Sequence, residues 1–71
     1  KLSYKDQREL DALPGRIDAL EKEQLALRAE LADGTIYSRN PDRASTLHAR
    51  DSAIDDELLA AMERWEALSA R

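Results

Sequence analysis

The 71-residue sequence has no cysteine, no phenylalanine, two glycines, two prolines, one histidine and three aromatic residues. Without cysteine there is neither a disulfide framework nor a thiolate metal site. With His48 as the only histidine, Cys–His pairs and His-rich zinc sites are excluded as well. Few aromatics and few turn residues argue against a β-sandwich or barrel. No apolar run approaches the roughly 20 residues that cross a bilayer, and no signal-peptide core is present. Gly15 and Gly34 do not introduce a Gly-Lys-Ser/Thr phosphate loop, so ATP has no such cradle here. A chain of this size buries only about 60% of its unfolded surface, and it is too short to wall a deep catalytic cleft.

What is abundant is Ala, Leu, Glu, Asp and Arg, with 37% charged residues, the composition of long helices. Ser3, with Asp6 three residues on, is a helix start signal. Leu10, Leu13, Ile17, Leu20, Leu27 and Leu31 then follow 3- and 4-residue spacings, with Gln24 as the polar slot. Pro14 lies inside this run and predicts a break, giving a short helix over about 4–12 and a first arm over about 14–32. Asp33-Gly34 is the stop, with Gly34 suited to a left-handed backbone, and a loop follows over about 33–40. Asn40-Pro41 opens the second arm, about 41–70, whose seam reads Ala44, Leu47, Asp51, Ile54, Leu58, Ala61, Trp65 and Leu68. The expected fold is all-α: an antiparallel two-helix coiled-coil hairpin preceded by a short N-terminal helix, as a single domain over 1–71.

Register follows from pairing Leu31 with Ala44. Leu27 then meets Leu47, Leu20 meets Ile54, Ile17 meets Leu58, Leu13 meets Ala61 and Leu10 meets Trp65. In that alignment Gln24 falls opposite Asp51, so the two polar slots satisfy one another. Trp65 and Tyr4 are expected to pack together around the open end. His48, one position off the seam, reads as a half-exposed surface residue. Asp55-Asp56-Glu57 point in different directions on a helix and cannot converge on one metal ion.

Net charge is −4, which disfavours a simple polyanion binder. Its distribution is more informative. Residues 51–71 carry six acidic and two basic side chains, −4, and the deficit is expected to reside there. Residues 35–50 carry Arg39, Arg43 and Arg50 against Asp42, +2; the first eight carry Lys1, Lys5 and Arg8 against Asp6, also +2. The functional reading makes the loop a phosphate-facing tip with Tyr37 free to stack on a base. The structural reading makes Ile36 and Tyr37 a plug over the hairpin end, which is favoured for that pair; for the arginines the two readings stand level.

Lys1-Leu2-Ser3-Tyr4-Lys5-Asp6-Gln7-Arg8-Glu9-Leu10, followed by Leu13-Pro14, Ile17-Asp18, Leu20-Glu21, Ile36-Tyr37 and Arg64-Trp65-Glu66, resembles the C-terminal domain of Uup-type ABC-F ATPases across the whole chain. Asp33-Gly34 departs from that family's usual Asp-Pro. The opening Lys1 in place of Met likewise points to a piece of a longer protein. The resemblance implies a cytoplasmic parent with two ATP-binding cassettes upstream and no membrane span. It also implies an antiparallel coiled coil that contributes to DNA binding, with ribosomes as a further association of the wider family. It leaves this segment without a cofactor or enzymatic activity of its own. The sequence therefore predicts a monomeric accessory domain contacting DNA through phosphates. Arg39, Arg43 and Arg50 form the tip patch with Tyr37, and Lys5 and Arg8 a second patch. The competing expectation is a spacer or protein-interaction hairpin that docks on the ATPase domains of the same chain or on the ribosome.

Overall fold

In a computed structural model, which describes residues 2–70, Ser3 caps the first helix: its Oγ accepts the backbone N–H of Asp6 at 3.1 Å. Helix α1 then runs over Tyr4–Ala32, a short α2 over Ile36–Arg39, and α3 over Pro41–Ser69. Asn40 caps α3 through its Oδ1, which accepts the N–H of Arg43 at 3.1 Å, and Pro41 occupies the first turn, where its missing N–H is harmless. The arms α1 and α3 pack antiparallel. The result is a rod of 54 × 16 × 15 Å. Its radius of gyration is 16.1 Å, whereas a compact chain of this length would have about 11 Å.

Two features differ from the sequence expectation. Pro14 does not divide the first arm: α1 is one helix of 29 residues with Pro14 inside it. Leu10, Leu13 and Ile17, on both sides of the proline, pack into one cluster with Ala61 and Leu68, and this shared burial holds the helix together. Pro14 itself is exposed, so the carbonyl one turn earlier, deprived of its donor, can be hydrated. The separate N-terminal helix is therefore absent. At the other end, the expected loop contains α2, and no glycine among the described residues adopts a positive φ. The stop comes instead from Asp33, whose Oδ1 accepts from the Thr35 backbone N–H at 3.1 Å and the Thr35 hydroxyl at 2.8 Å. That turn drops Ile36 into the core.

The seam register is as the spacing predicts. Toward the tip, Leu20, Leu27, Ile36, Ala44, Leu47 and Ile54 form one buried cluster, flanked by Leu31 and Leu58. Toward the open end, Leu13, Ala61 and Leu68 form a second, flanked by Leu2, Leu10 and Ile17. Ile54 is fully buried. Gln24 is buried within the tip-side cluster, between Leu20 and Leu27, in register with Asp51, donating from Nε2 to Asp51 Oδ1 at 3.0 Å and to Asp55 Oδ1 at 2.7 Å.

The aromatic expectation at the open end fails. Tyr4 is 79% exposed and Trp65 44% exposed. Along α3 the row Leu47, Ile54, Ala61, Leu68 stays buried, while the row Ala44, Asp51, Leu58, Trp65 passes from buried through half-buried to exposed. A helix of 3.6 residues per turn drifts about 20° per heptad against a 3.5 repeat. That drift carries the second row off the interface by the time it reaches Trp65.

Candidate functional site

The tip is built on α2 and the first turns of α3. Ile36 plugs the end of the core, as expected, but Tyr37 does not: it is 48% exposed, and its hydroxyl lies 2.8 Å from His48 Nε2. The two rings are tilted by 38° with centroids 5.9 Å apart. Arg39 reaches back across the turn, donating from Nε to Thr35 Oγ1 at 3.0 Å and from Nη2 to Asp33 Oδ2 at 3.2 Å. Its side chain remains 65% exposed.

Arg43 and Arg50 are placed differently. Arg43 grips Glu30 with two bonds, of 2.9 and 3.0 Å. Arg50 grips Glu23 with bonds of 2.6 and 2.8 Å and also reaches Glu57 at 2.7 Å. Farther down, Arg16 pairs with Glu57 at 3.2 Å, and Arg64 with Glu9 at 2.6 and 3.0 Å. Positions 9, 16, 23 and 30 thus face 64, 57, 50 and 43, one interhelical ion pair per heptad along one flank of the seam. The signal for this ladder was present in the sequence as a seven-residue spacing on each arm. Summing charge along segments hides it, because each partner lies on the other arm. Residues 9–34 carry seven acidic and three basic side chains, −4, so the acidity is shared between both arms and does not reside in 51–71 alone. Lys1 and Arg71, counted in the end segments, lie outside the described residues.

The pairing fixes the protonation states. Hydrogen bonds from Arg64, Arg50 and Arg43 hold the carboxyls of Glu9, Glu23 and Glu30 below their ordinary value of 4.5, and the same contacts push those three guanidinium groups further up. On the other flank, burial opposes ionisation of Asp51. Bonds from Arg28 and Gln24, with the nearby charges of Arg28 and His48, outweigh it and leave that carboxyl below 3.8. Asp33 is likewise lowered, first by the Thr35 hydroxyl and then by the Thr35 N–H.

Lys5 and Arg8 sit at the opposite end of the rod from Arg39, so the structure does not bring the two basic patches together. Arg8 lies over the Tyr4 ring, 5.8 Å from its centroid, and Lys5 shares a shallow depression with Tyr4, Arg8 and Glu9. Asp55, Asp56 and Glu57 diverge: Asp55 meets Gln24 and Arg28, and Glu57 meets Arg16 and Arg50. Among the described residues no group of His, Asp or Glu is arranged to hold a metal ion, and no helix is long and apolar enough to cross a membrane. A groove of about 350 Å³ runs between the Glu9–Arg64 and Arg16–Glu57 pairs over Ala12, Leu13, Ala60 and Ala61. Its two carboxylates, Glu9 and Glu57, are each held by arginine.

Comparison with known proteins identifies the family. The family model for the ABC transporter C-terminal domain matches residues 1–70. ATP-binding protein Uup of Escherichia coli is 41% identical over 99% of the chain, which spans 11% of that protein. A Uup-like ATP-binding protein of Haemophilus influenzae is 37% identical over the full chain, 16% of its own length. An uncharacterised ABC transporter ATP-binding protein of Bacillus subtilis, YfmR, is 39% identical over 97% of the chain and 10% of its own. No solved structure matches the chain. The helical hairpin, its heptad seam and the full-length match together place this chain in the ABC transporter C-terminal domain family.

Proposed function

We propose that this hairpin is the nucleic-acid-contacting accessory domain of a Uup-type ABC-F ATP-binding protein, with DNA as the ligand and the hairpin tip as the point of contact. ATP binding and hydrolysis belong, in this reading, to cassettes elsewhere in a cytoplasmic parent protein. The observation that carries it is the tip itself: Arg39, 65% exposed, stands two residues from the exposed Tyr37 ring at the end of a stiff rod. A guanidinium for phosphate and an aromatic face for a base are then presented on one helical turn. The Arg39–Asp33 pair is exposed, and such pairs are weak enough for a phosphate to displace. Arg43 and Arg50 contribute less directly, because each must share its guanidinium with a glutamate. Lys5 and Arg8 supply a separate, secondary patch. With so few phosphate contacts, binding by the isolated monomeric hairpin is weak, and its salt dependence is set by that small number of contacts.

Gel-shift titration of duplex DNA, single strands and ribosomes at two salt concentrations tests the reading. Arg39→Ala is expected to weaken DNA binding more than Arg43→Ala, and Arg50→Ala least. Absence of binding at low salt, or binding indifferent to Arg39→Ala combined with Arg43→Ala, overturns it. The second reading, a spacer that docks on the ATPase domains or the ribosome, draws on the ladder: arginines committed to carboxylates of the same hairpin serve its own rigidity.

A further inference from the structure

The surface farthest in character from the tip is the outer side of α3 near its C-terminal end. Leu59, Met62 and Trp65 are 60%, 46% and 44% exposed. They follow one another at three-residue steps, so they adjoin on the helix surface and continue outward from the half-buried Leu58. Scattered exposed leucines are ordinary, but a contiguous strip that includes the only tryptophan of the chain is not.

The charges around this strip are as distinctive as the strip itself. Asp56 and Glu63 stand one turn before and one turn after Leu59, and Glu66 one turn after Met62. Along the ladder every glutamate is matched by an arginine, whereas the side chains of Asp56, Glu63 and Glu66 make no ion pair or hydrogen bond among the described residues. An apolar strip fringed by three uncompensated carboxylates repels phosphate, and it repels a second copy of itself. It complements one kind of surface: apolar side chains flanked by lysine or arginine.

We propose that Leu59, Met62 and Trp65, with Asp56, Glu63 and Glu66 as their rim, form a docking surface for a basic amphipathic helix of a protein partner. The partner's apolar face covers the strip and its cationic face meets the carboxylates, helix packed on helix with charge setting orientation. The aromatic anchor is Trp65, a residue type that dominates such interfaces. This surface is separate from the tip, so the domain can hold nucleic acid and a protein at once.

Trp65 reports on its own environment, which makes the test direct. An 18-residue amphipathic helical peptide with a leucine face and a lysine face is titrated into the chain, followed by Trp65 fluorescence and calorimetry. Saturable one-to-one binding with a blue shift of Trp65 emission is expected. Glu66→Lys is expected to weaken it at least fivefold, and Leu59→Ser with Met62→Ser at least tenfold. Glu21→Lys, the same charge change at an exposed and unpaired position of α1, is expected to weaken it less than twofold. All four positions are exposed, so unchanged helical circular dichroism accompanies each variant. The proposal is overturned by absence of saturable binding, by an unshifted Trp65 in the saturated complex, or by equal weakening from Glu66→Lys and Glu21→Lys. DNA binding by the tip is unaffected in any of these outcomes, so the two proposals fail separately.

Discussion

The two flanks of the seam are built on different principles. On one, ion pairs recur once per heptad from Glu9–Arg64 to Glu30–Arg43, each between exposed or half-exposed side chains. On the other, a single network joins the buried Gln24 amide to Asp51 and Asp55, with Arg28 closing it from outside. Exposed pairs add little energy individually, whereas a buried amide left without partners is expensive. The ladder thus distributes many small, salt-sensitive contributions along the rod, and the network concentrates its effect at one layer. The flank with the network is also the one that leaves Met62 and Trp65 uncovered toward the open end.

Six changes would break or sharpen this contrast. The seam common to both flanks sets the scale: Ile54→Ala, at a fully buried position, is expected to lose about 2–5 kcal/mol in urea unfolding. In a hairpin with so thin a core, that loss unfolds much of the population at room temperature. Gln24→Ala comes next, at about 1–3 kcal/mol, because it removes a buried amide and strips two carboxylates of a donor. Replacing Gln24 and Asp51 together by leucine should restore the stability while allowing other association states, measurable by light scattering.

Acid is expected to weaken the ladder and the network alike. Glu9, Glu23 and Glu30 titrate below 4.5 when folded, so their pairing supports the fold fully above that value and is lost as pH falls through the folded values. Asp51 is likewise held below its ordinary 3.8 when folded, so its part in the network is lost as pH falls through its folded value. A pH series of melting curves should stay level from neutrality to the glutamate range and then decline. A flat profile through pH 3 contradicts the ladder. The smallest effect is that of Arg50→Ala, which removes one rung; its destabilisation should shrink further at high salt. Exchanging the partners, Glu23→Arg with Arg50→Glu, should recover most of it in a double-mutant cycle.

The seam, its register and the Gln24–Asp51 layer were legible because apolar spacing and turn signals act within one stretch of chain. So were the caps at Ser3 and Asn40, where a side chain meets a backbone group three residues on. Pro14 misled because a proline rule describes a helix in isolation. Here burial on both sides of it outweighs one missing bond. Trp65 misled because a heptad alphabet ignores rotational drift accumulated over three heptads. The tip arginines were recognised as a basic patch. Their glutamate partners were not, since they lie 13 and 27 residues away and come into view only when the arms are laid side by side.

The order of the rungs has a mechanical consequence. Three run acid on α1 to base on α3, and one, Arg16–Glu57, runs the other way. Sliding one arm by a heptad in either direction sets Arg16 against another arginine and one glutamate against another, at Glu9 and Glu57 or at Glu23 and Glu57. The arms are keyed like a lock with one inverted tooth. Slippage of the arms thus costs charge repulsion as well as seam burial, and the spacing between the open end and the tip is set twice over.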